Sequence, residues 1–294
     1  MGCKLSMISA VLASRSGIGL VMRGTLLACS LALAGCETVG GGLSGGRGPG
    51  FAEVEDPNAA SGINIESLNE VVRRNPGDAE AYNTRGVAYA KGGRYSEAIG
   101  DFGQAIKIDP NNASAFTNRA LALRQISRNE AALADFNRAL AANPNHAPAY
   151  LGRANLQRAT GNLAEALADL NQAIRLNPEG AQAFHARGLI YQRQGQQAQA
   201  ITDFDNAIDR DPFAAAPYQA RGQSLITTAK YDAAIEDFNA SLNVDAKNSD
   251  AWAGLGIAYE RLGNRQKALE SYNRAIVTNA NNQAAREGLA RVGR

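Results

Sequence analysis

The sequence predicts an all-α chain built as a solenoid of six helix-turn-helix repeats. Three observations predict it. A 34-residue unit recurs six times without insertion, at 79–112, 113–146, 147–180, 181–214, 215–248 and 249–282. Each copy holds two stretches of helical periodicity separated by a turn. Small residues return at fixed places in every copy, where helices have to approach closely. A period this strict makes each copy one supersecondary unit, which buries its apolar face against its neighbours.

In chain order, residues 1–35 are expected to be a targeting segment rather than fold. Arg23 precedes an apolar run from Thr25 to Ala34, too short for a permanent bilayer span. The run ends in Leu33-Ala34-Gly35-Cys36. This pattern resembles the bacterial lipoprotein signal, which implies cleavage before Cys36 and diacylglycerol and acyl chains on Cys36. Glu37 follows; in enterobacterial lipoproteins an Asp there favours the inner membrane, so its absence points to the outer membrane. Met1-Gly2-Cys3-Lys4-Leu5-Ser6 also fits an N-myristoylation pattern. That anchor would leave the Leu-Ala-Gly-Cys run unexplained. Met7 is an alternative start. Cleavage would remove Cys3 and Cys29 and leave Cys36 alone, without an intramolecular disulfide. The 30 basic residues less Lys4, Arg15 and Arg23 face 28 acidic ones, a balance of −1. That balance argues against nucleic acid as a partner.

Residues 36–61 are rich in Gly and Ser, as in GGGLSGGRGPG, and are expected to be a flexible tether. Its reach is about 25–30 Å. Residues 62–78 contain a short amphipathic helix, with Ile65, Leu68, Val71 and Val72 on one face. Counted back from Pro76, these residues match the second-helix core of the repeat, so the segment is a degenerate half-repeat covering the first full copy.

The first full copy reads AEAYNTRGVAYAKGGRYSEAIGDFGQAIKIDPNN. Tyr82, Gly86 and Tyr89 lie at helical spacing, and so do Tyr95, Ala98, Ile99, Phe102, Ala105 and Ile106. Gly92-Gly93 ends the first helix where a left-handed residue is required. Asp109-Pro110-Asn111-Asn112 ends the second and supplies cap residues to the next. Ala98, Ala132, Ala166, Ala200, Ala234 and Ala268 occupy one column, and Gly86, Ala120, Ala154, Gly188, Gly222 and Gly256 another. Larger side chains there would push paired helices apart. Two bulky columns are expected to fill the space between helices. One is Tyr82, Phe116, Tyr150, Phe184, Tyr218 and Trp252, and the other is Phe102, Phe136, Leu170, Phe204, Phe238 and Tyr272. Residues 283–294 restart a first helix and stop; Arg286, Glu287 and Arg291 suit a solvated cap.

This register resembles the tetratricopeptide repeat family over about two thirds of the chain. Departures are mild: Gln157 replaces an apolar residue, and Ala246 and Ala280 replace the closing Pro. The resemblance implies a right-handed α-solenoid whose first helices line a concave groove. Carried onto this chain, the groove positions are Asn83, Val87, Thr117, Leu121, Leu151, Asn155, His185, Leu189, Gln219, Gln223 and Ile226. Arg124, Arg158, Gln192 and Arg193 lie towards one edge. Amides there would pair with the backbone of an extended peptide while apolar groups receive its side chains. Chaperone-binding members clamp a C-terminal carboxylate with Lys and Arg at groove positions. Those columns carry neither here, so that ligand is not expected.

One pair of columns departs from the family. Arg85, Arg119, Arg153, Arg187 and Arg221 stand where an apolar residue is usual, and Asp101, Asp135, Asp169, Asp203 and Asp237 recur on the second helix. In the last copy both change together, to Leu255 and Ser271. A ladder of partly buried Arg–Asp ion pairs between the helices is expected. The alternative is inherited repeat sequence with both groups solvated.

Chemistry-bearing clusters are not apparent. His146 and His185 are the two histidines, no Cys or His spacing suits a metal, and no Gly-rich phosphate loop follows a strand. Some proteins with these repeats are sugar transferases, but there a large catalytic domain follows. The expectation is a protein without enzymatic activity, cofactor or metal, binding a protein or peptide in the groove. The first functional class is an adaptor at the outer membrane facing the periplasm, in peptidoglycan-enzyme regulation or pilus and secretion assembly. The second is a non-catalytic regulatory subunit of a glycan-processing or glycosyltransferase complex.

Overall fold

The computed structural model describes residues 65–293. The expected signal segment, Cys36 and the tether lie outside these residues. Among the described residues all regular structure is helical, in fourteen helices. α1 (Ile65–Arg74) comes first. Six pairs follow: α2 (Ala79–Lys91) with α3 (Tyr95–Ile108), α4 (Ala113–Gln125) with α5 (Asn129–Ala142), α6 (Ala147–Thr160) with α7 (Leu163–Leu176), α8 (Ala181–Arg193) with α9 (Gln197–Arg210), α10 (Ala215–Thr227) with α11 (Tyr231–Val244), and α12 (Ser249–Arg261) with α13 (Arg265–Thr278). α14 (Gln283–Val292) closes the stack.

The turn inside each repeat is one device used six times. The residue before the last turn position is left-handed in every copy: Gly93, Ser127, Gly161, Gly195, Ala229 and Gly263. The next N–H then returns to a carbonyl five residues back, as from Arg94 to Tyr89 at 2.9 Å and from Lys230 to Leu225 at 2.8 Å. The Gly-Gly of the first copy announces this turn. Ser127 and Ala229 adopt it without glycine, at φ 60° and 57°. Such a residue bears a steric cost of roughly 1–2 kcal/mol. Between repeats, Asn112, Asn248 and Asn282 cap the next helix by accepting from Ala115, Ala251 and Ala285 N–H groups.

The helix contacts set the curvature. Each first helix touches the next first helix, from α2 against α4 to α12 against α14, whereas no second helix touches the next second helix. The stack is therefore tighter along its first helices, which form the inner wall of a right-handed solenoid. α1 packs against α2 and α14 against α12 and α13, so the described stack carries a helix at either end. At the far end, Tyr272 Oη donates to Glu260 at 2.5 Å, and Arg291 donates twice to the same carboxylate at 2.9 and 3.0 Å. Burial and this bond raise the Tyr272 pKa.

Inside the stack a ring-and-cup rule governs packing. Phe102, Phe136, Phe204, Phe238 and Tyr272 are almost completely buried. Each sits against a glycine, either in its own first helix or in the next one. A Cβ on Gly86 or Gly188 would come within 2.6 Å of Phe102 or Phe204, and one on Gly152, Gly254, Gly256 or Gly288 would overlap Phe136, Phe238 or Tyr272. The third repeat has Ala154 and Ala186 at the two cup positions, and there the ring is replaced by Leu170, packed in one cluster with both alanines. The two methyl groups take up the space that a phenyl ring would need. The small-residue column of the first helices is thus half of the steric device; Gly152, Gly254 and Gly288, two residues earlier in the unit, are the other half.

Candidate functional site

The first helices have two chemically different sides. On the side facing the second helices, the five arginines of the repeating column meet the five aspartates. Each donates from Nε and Nη2 to the Asp sixteen residues later, at 2.6–2.8 Å. The aspartates are buried and the arginine side chains about one fifth exposed; Arg153 and Asp169 are 21% and 9% exposed. The hydrogen bond to Asp169 raises the Arg153 pKa against the opposing effect of burial. Each guanidinium also lies over the ring three residues earlier, as Arg153 over Tyr150 at 5.7 Å.

A third contact was not foreseen from the sequence. The remaining Nη1 reaches back to the second helix of the preceding repeat: Arg85 to Asn69 (3.0 Å), Arg153 to Asn137 (2.7 Å), Arg187 to Asn171 (2.7 Å) and Arg221 to Asp205 (2.6 Å). Each of these arginines joins three helices from two repeats. Arg119 lacks this bond because Gly103 stands at the matching place. The signal was available as a column of Asn and Asp in the second helices. In the last repeat Leu255 is buried, and the Ser271 hydroxyl donates to the Lys267 carbonyl instead.

The inner side carries the residues expected to line a groove, and their fates differ. Asn83, Thr117 and Leu121 are closed within the stack, at 1%, 0% and 2% exposure, and offer no surface to a partner. Asn83 accepts from Asn118 of the next repeat at 3.0 Å, Thr117 donates to the Ala113 carbonyl at 2.8 Å, and Leu121 joins the core of the second repeat. Neighbouring first helices press together over these positions, so the early repeats use them as packing. Val87 is also buried. Leu151, Asn155, His185, Leu189, Gln219 and Ile226 are half-buried, and Gln223 is exposed. Gln219 accepts from Asn248 at 2.6 Å. Gln192 donates to the Ala220 carbonyl and the Ser224 hydroxyl, both at 2.9 Å. The surface available to a ligand is therefore centred on α6 and α8.

Charge on this side is unbalanced. Arg124 and Arg158 are half-buried and make no ion pair among the described residues; Arg193 is exposed beside them in the register. Burial and then the charge of Arg158 lower the Arg124 pKa; burial and then Arg193 lower that of Arg158. The Arg158 Nε is shut off from solvent without a hydrogen-bond partner. His185 packs its ring against Phe204 at 5.9 Å, and burial, with Arg158 nearby, pushes its pKa down to about 4. It is neutral at pH 7. Among the described residues no group of His, Cys, Asp and Glu could hold a metal, and no helix is long and apolar enough to cross a membrane.

Known proteins reproduce this architecture. One chain of the Cut9–Hcn1 hetero-tetramer of the APC/C superposes with a TM-score of 0.70 at 20% identity, over 78% of this chain and 46% of that one. This chain thus spans less than half the length of that relative. PilF of Pseudomonas aeruginosa matches at a TM-score of 0.67 and 18% identity, over 76% of this chain and 99% of that one. YrrB, described as a TPR protein with an unusual peptide-binding site, matches at 0.53 and 25% identity, over 64% and 97%. No curated protein sequence matches the chain. Models described as tetratricopeptide repeat match residues 79–112, 113–146, 181–213, 215–248 and 249–282, and one described as TPR repeat matches 154–195. Two thirds of the sequence is covered in this way, in the same register as the helix pairs, and the chain belongs to the tetratricopeptide repeat family.

Proposed function

We propose that this protein is a non-catalytic adaptor of the cell envelope, held at the outer membrane by a lipidated Cys36 and facing the periplasm. Its first helices take an extended segment of a partner protein, in envelope assembly such as pilus or secretion-pore biogenesis or the control of peptidoglycan enzymes. The observation that carries the reading is the inner wall at α6 and α8. There Leu151, Asn155 and Leu189 keep apolar and amide groups part-exposed, and among the described residues no hydrogen bond occupies the Asn155 amide. An amide can pair with a peptide backbone and a leucine can receive an apolar side chain. The likeness in fold to PilW, a widely conserved type IV pilus biogenesis factor (TM-score 0.65 and 20% identity, over 72% of this chain and 98% of that one), is in keeping with this setting. The Leu33-Ala34-Gly35-Cys36 run supports the anchor.

The test is photo-crosslinking in intact cells from a reactive residue at Asn155 or Leu189. Recovery of one dominant envelope protein, lost on combined substitution of Leu151, Asn155 and Leu189 at unchanged helicity, supports the adaptor. Capture that survives that substitution moves the site elsewhere. A Cys36→Ala chain found in the soluble periplasmic fraction supports the anchor; one still in the outer-membrane fraction overturns it.

A further inference from the structure

Six arginines have been placed on the first helices of repeats two to four, and they divide sharply. Arg119, Arg153 and Arg187 each hold an aspartate in two hydrogen bonds. Arg124, Arg158 and Arg193, on the inner side of the same three helices, hold no carboxylate among the described residues. A guanidinium taken part-way out of water without an anion is unfavourable, and like charges nearby add to the penalty. Elsewhere the column of Arg124 and Arg158 is apolar or satisfied. Ala90 and Ile226 carry no polar group, Gln192 is bonded to the next repeat, and Glu260 is held by Arg291 and Tyr272. The two adjacent arginines are the exception in their own column, and the Nε of one is shut away unpartnered.

We infer that Arg124 and Arg158 form a two-point anion site that selects an acidic extended segment of the partner protein, with carboxylates three residues apart. This rests on the groove reading above and adds the chemistry of the ligand. Packed helices lie about 8–10 Å apart, which sets the separation of equivalent side chains on α4 and α6. A peptide in the polyproline II conformation rises about 3.1 Å per residue with three residues per turn, so residues i and i+3 lie on one face about 9 Å apart. Two Asp or Glu residues at that spacing meet both guanidinium groups. Each guanidinium offers a fork of donors to a carboxylate. Leu151 and Asn155, on the second and third turns of α6, then face the apolar and backbone groups of the same segment. Arg193 extends the positive field towards the next repeat without being needed for the two contacts. His185 is neutral at pH 7 and contributes no charge to the site.

The experiment uses the full-length chain in detergent and a short fluorescein-labelled, Pro- and Gln-rich peptide, amidated at its C-terminus, with Glu at i and i+3. A second peptide carries Gln at both places. Fluorescence anisotropy should show the Glu peptide binding about tenfold or more tightly than the Gln peptide, the range expected for charge-assisted hydrogen bonds. That preference should shrink with added salt and disappear in Arg124→Gln and in Arg158→Gln, with helicity and Tm of both variants at or above those of the parent. Equal binding of the two peptides, or a preference that persists in both variants, overturns the anion site. If equal binding is lost on substituting Leu151, Asn155 and Leu189, the groove reading stands and the acidic preference alone falls. No binding of either peptide overturns the site as described and leaves the groove to the cross-linking result. Phosphatidylglycerol vesicles serve as a parallel probe; arginine-dependent binding to them without peptide binding overturns the peptide in favour of a lipid headgroup.

Discussion

Arg153 and Arg158 lie five residues apart on α6 and occupy opposite electrostatic surroundings. Arg153 holds Asp169 in two hydrogen bonds, reaches Asn137 of the preceding repeat and lies over the ring of Tyr150. Among the described residues Arg158 has no ion pair, and its buried Nε has no partner. One guanidinium is a structural joint; the other is a charge that the fold tolerates. The difference teaches that residue type and burial together do not reveal a role. What decides is whether the chain itself supplies the counter-charge.

The largest effect that could break this contrast is on stability. Arg153→Ala leaves Asp169 buried and unpaired, and a broken buried pair costs about 3–5 kcal/mol. With a fifth of the arginine exposed, about 3 kcal/mol is expected in a denaturant or thermal melt. Arg158→Met on the same helix should change stability by less than about 1 kcal/mol, or raise it, because no partner is orphaned. Equal losses for the two variants would erase the distinction between the two sides of the helix.

Gly152 tests a third direction on the same helix. Its missing Cβ makes room for Phe136, so Gly152→Ala should destabilise by about 1–3 kcal/mol through overpacking. Peptide capture at α6 should survive, since neither arginine moves to a new partner. The companion change, Leu170→Phe, should be tolerated better when Ala154→Gly opens its cup. A double-mutant cycle measures that coupling. If Leu170→Phe costs the same with and without the glycine, the ring-and-cup rule fails.

Much of this architecture is legible in the sequence alone. Six copies in strict register act as six observations of each position. The period, the two helices per unit, the columns of small residues and the joint change to Leu255 and Ser271 all come from that redundancy. Features that depend on one copy alone were not readable. Asn83, Thr117 and Leu121 share columns with part-exposed Leu151, Asn155, His185 and Leu189, so the column average hid their closure between early repeats. Nor does spacing reveal that Arg124 and Arg158 lack carboxylates among the described residues, since that depends on every side chain around them. The left-handed turns at Ser127 and Ala229 were masked for a similar reason: the Gly-Gly of the first copy suggested a glycine rule that two copies do not obey. Leu170 did carry a signal, as the single bulky-column member whose own and following first helices offer alanine at both cup positions.

A smaller effect reads the inner charge from a neighbour. His185 is held to a pKa of about 4, below the usual 6.5, by burial first and by Arg158 second. A histidine whose pKa is depressed on folding leaves stability untouched above pH 6.5. It then costs increasing stability as the pH falls from 6.5 towards 4, because the unfolded chain binds the proton more readily. At pH 5 the loss should be about 1–2 kcal/mol, and His185→Gln should remove that part of the pH dependence. In an NMR titration Arg158→Gln should raise the His185 pKa by less than the full displacement, leaving the larger contribution of burial in place. An unchanged pKa would mean that Arg158 and His185 do not sense each other.

The smallest effect completes the paired side. Arg119 is the one ladder arginine whose Nη1 has no acceptor from the preceding repeat, because Gly103 stands where Asn69, Asn137, Asn171 and Asp205 serve the others. A Cβ at Gly103 would lie 3.7 Å from that nitrogen, an ordinary contact, so a side chain fits. Gly103→Asn should supply the missing hydrogen bond and replace a glycine inside α3 with a better helix former. The two gains together amount to about 1 kcal/mol. Gly103→Ala isolates the helix-propensity part. Arg119→Lys cannot donate in three directions from a planar group, and in that background the advantage of Asn over Ala should vanish. If Asn and Ala prove equivalent with Arg119 intact, the link to the preceding repeat contributes nothing, and the ladder reduces to five separate pairs within their own repeats.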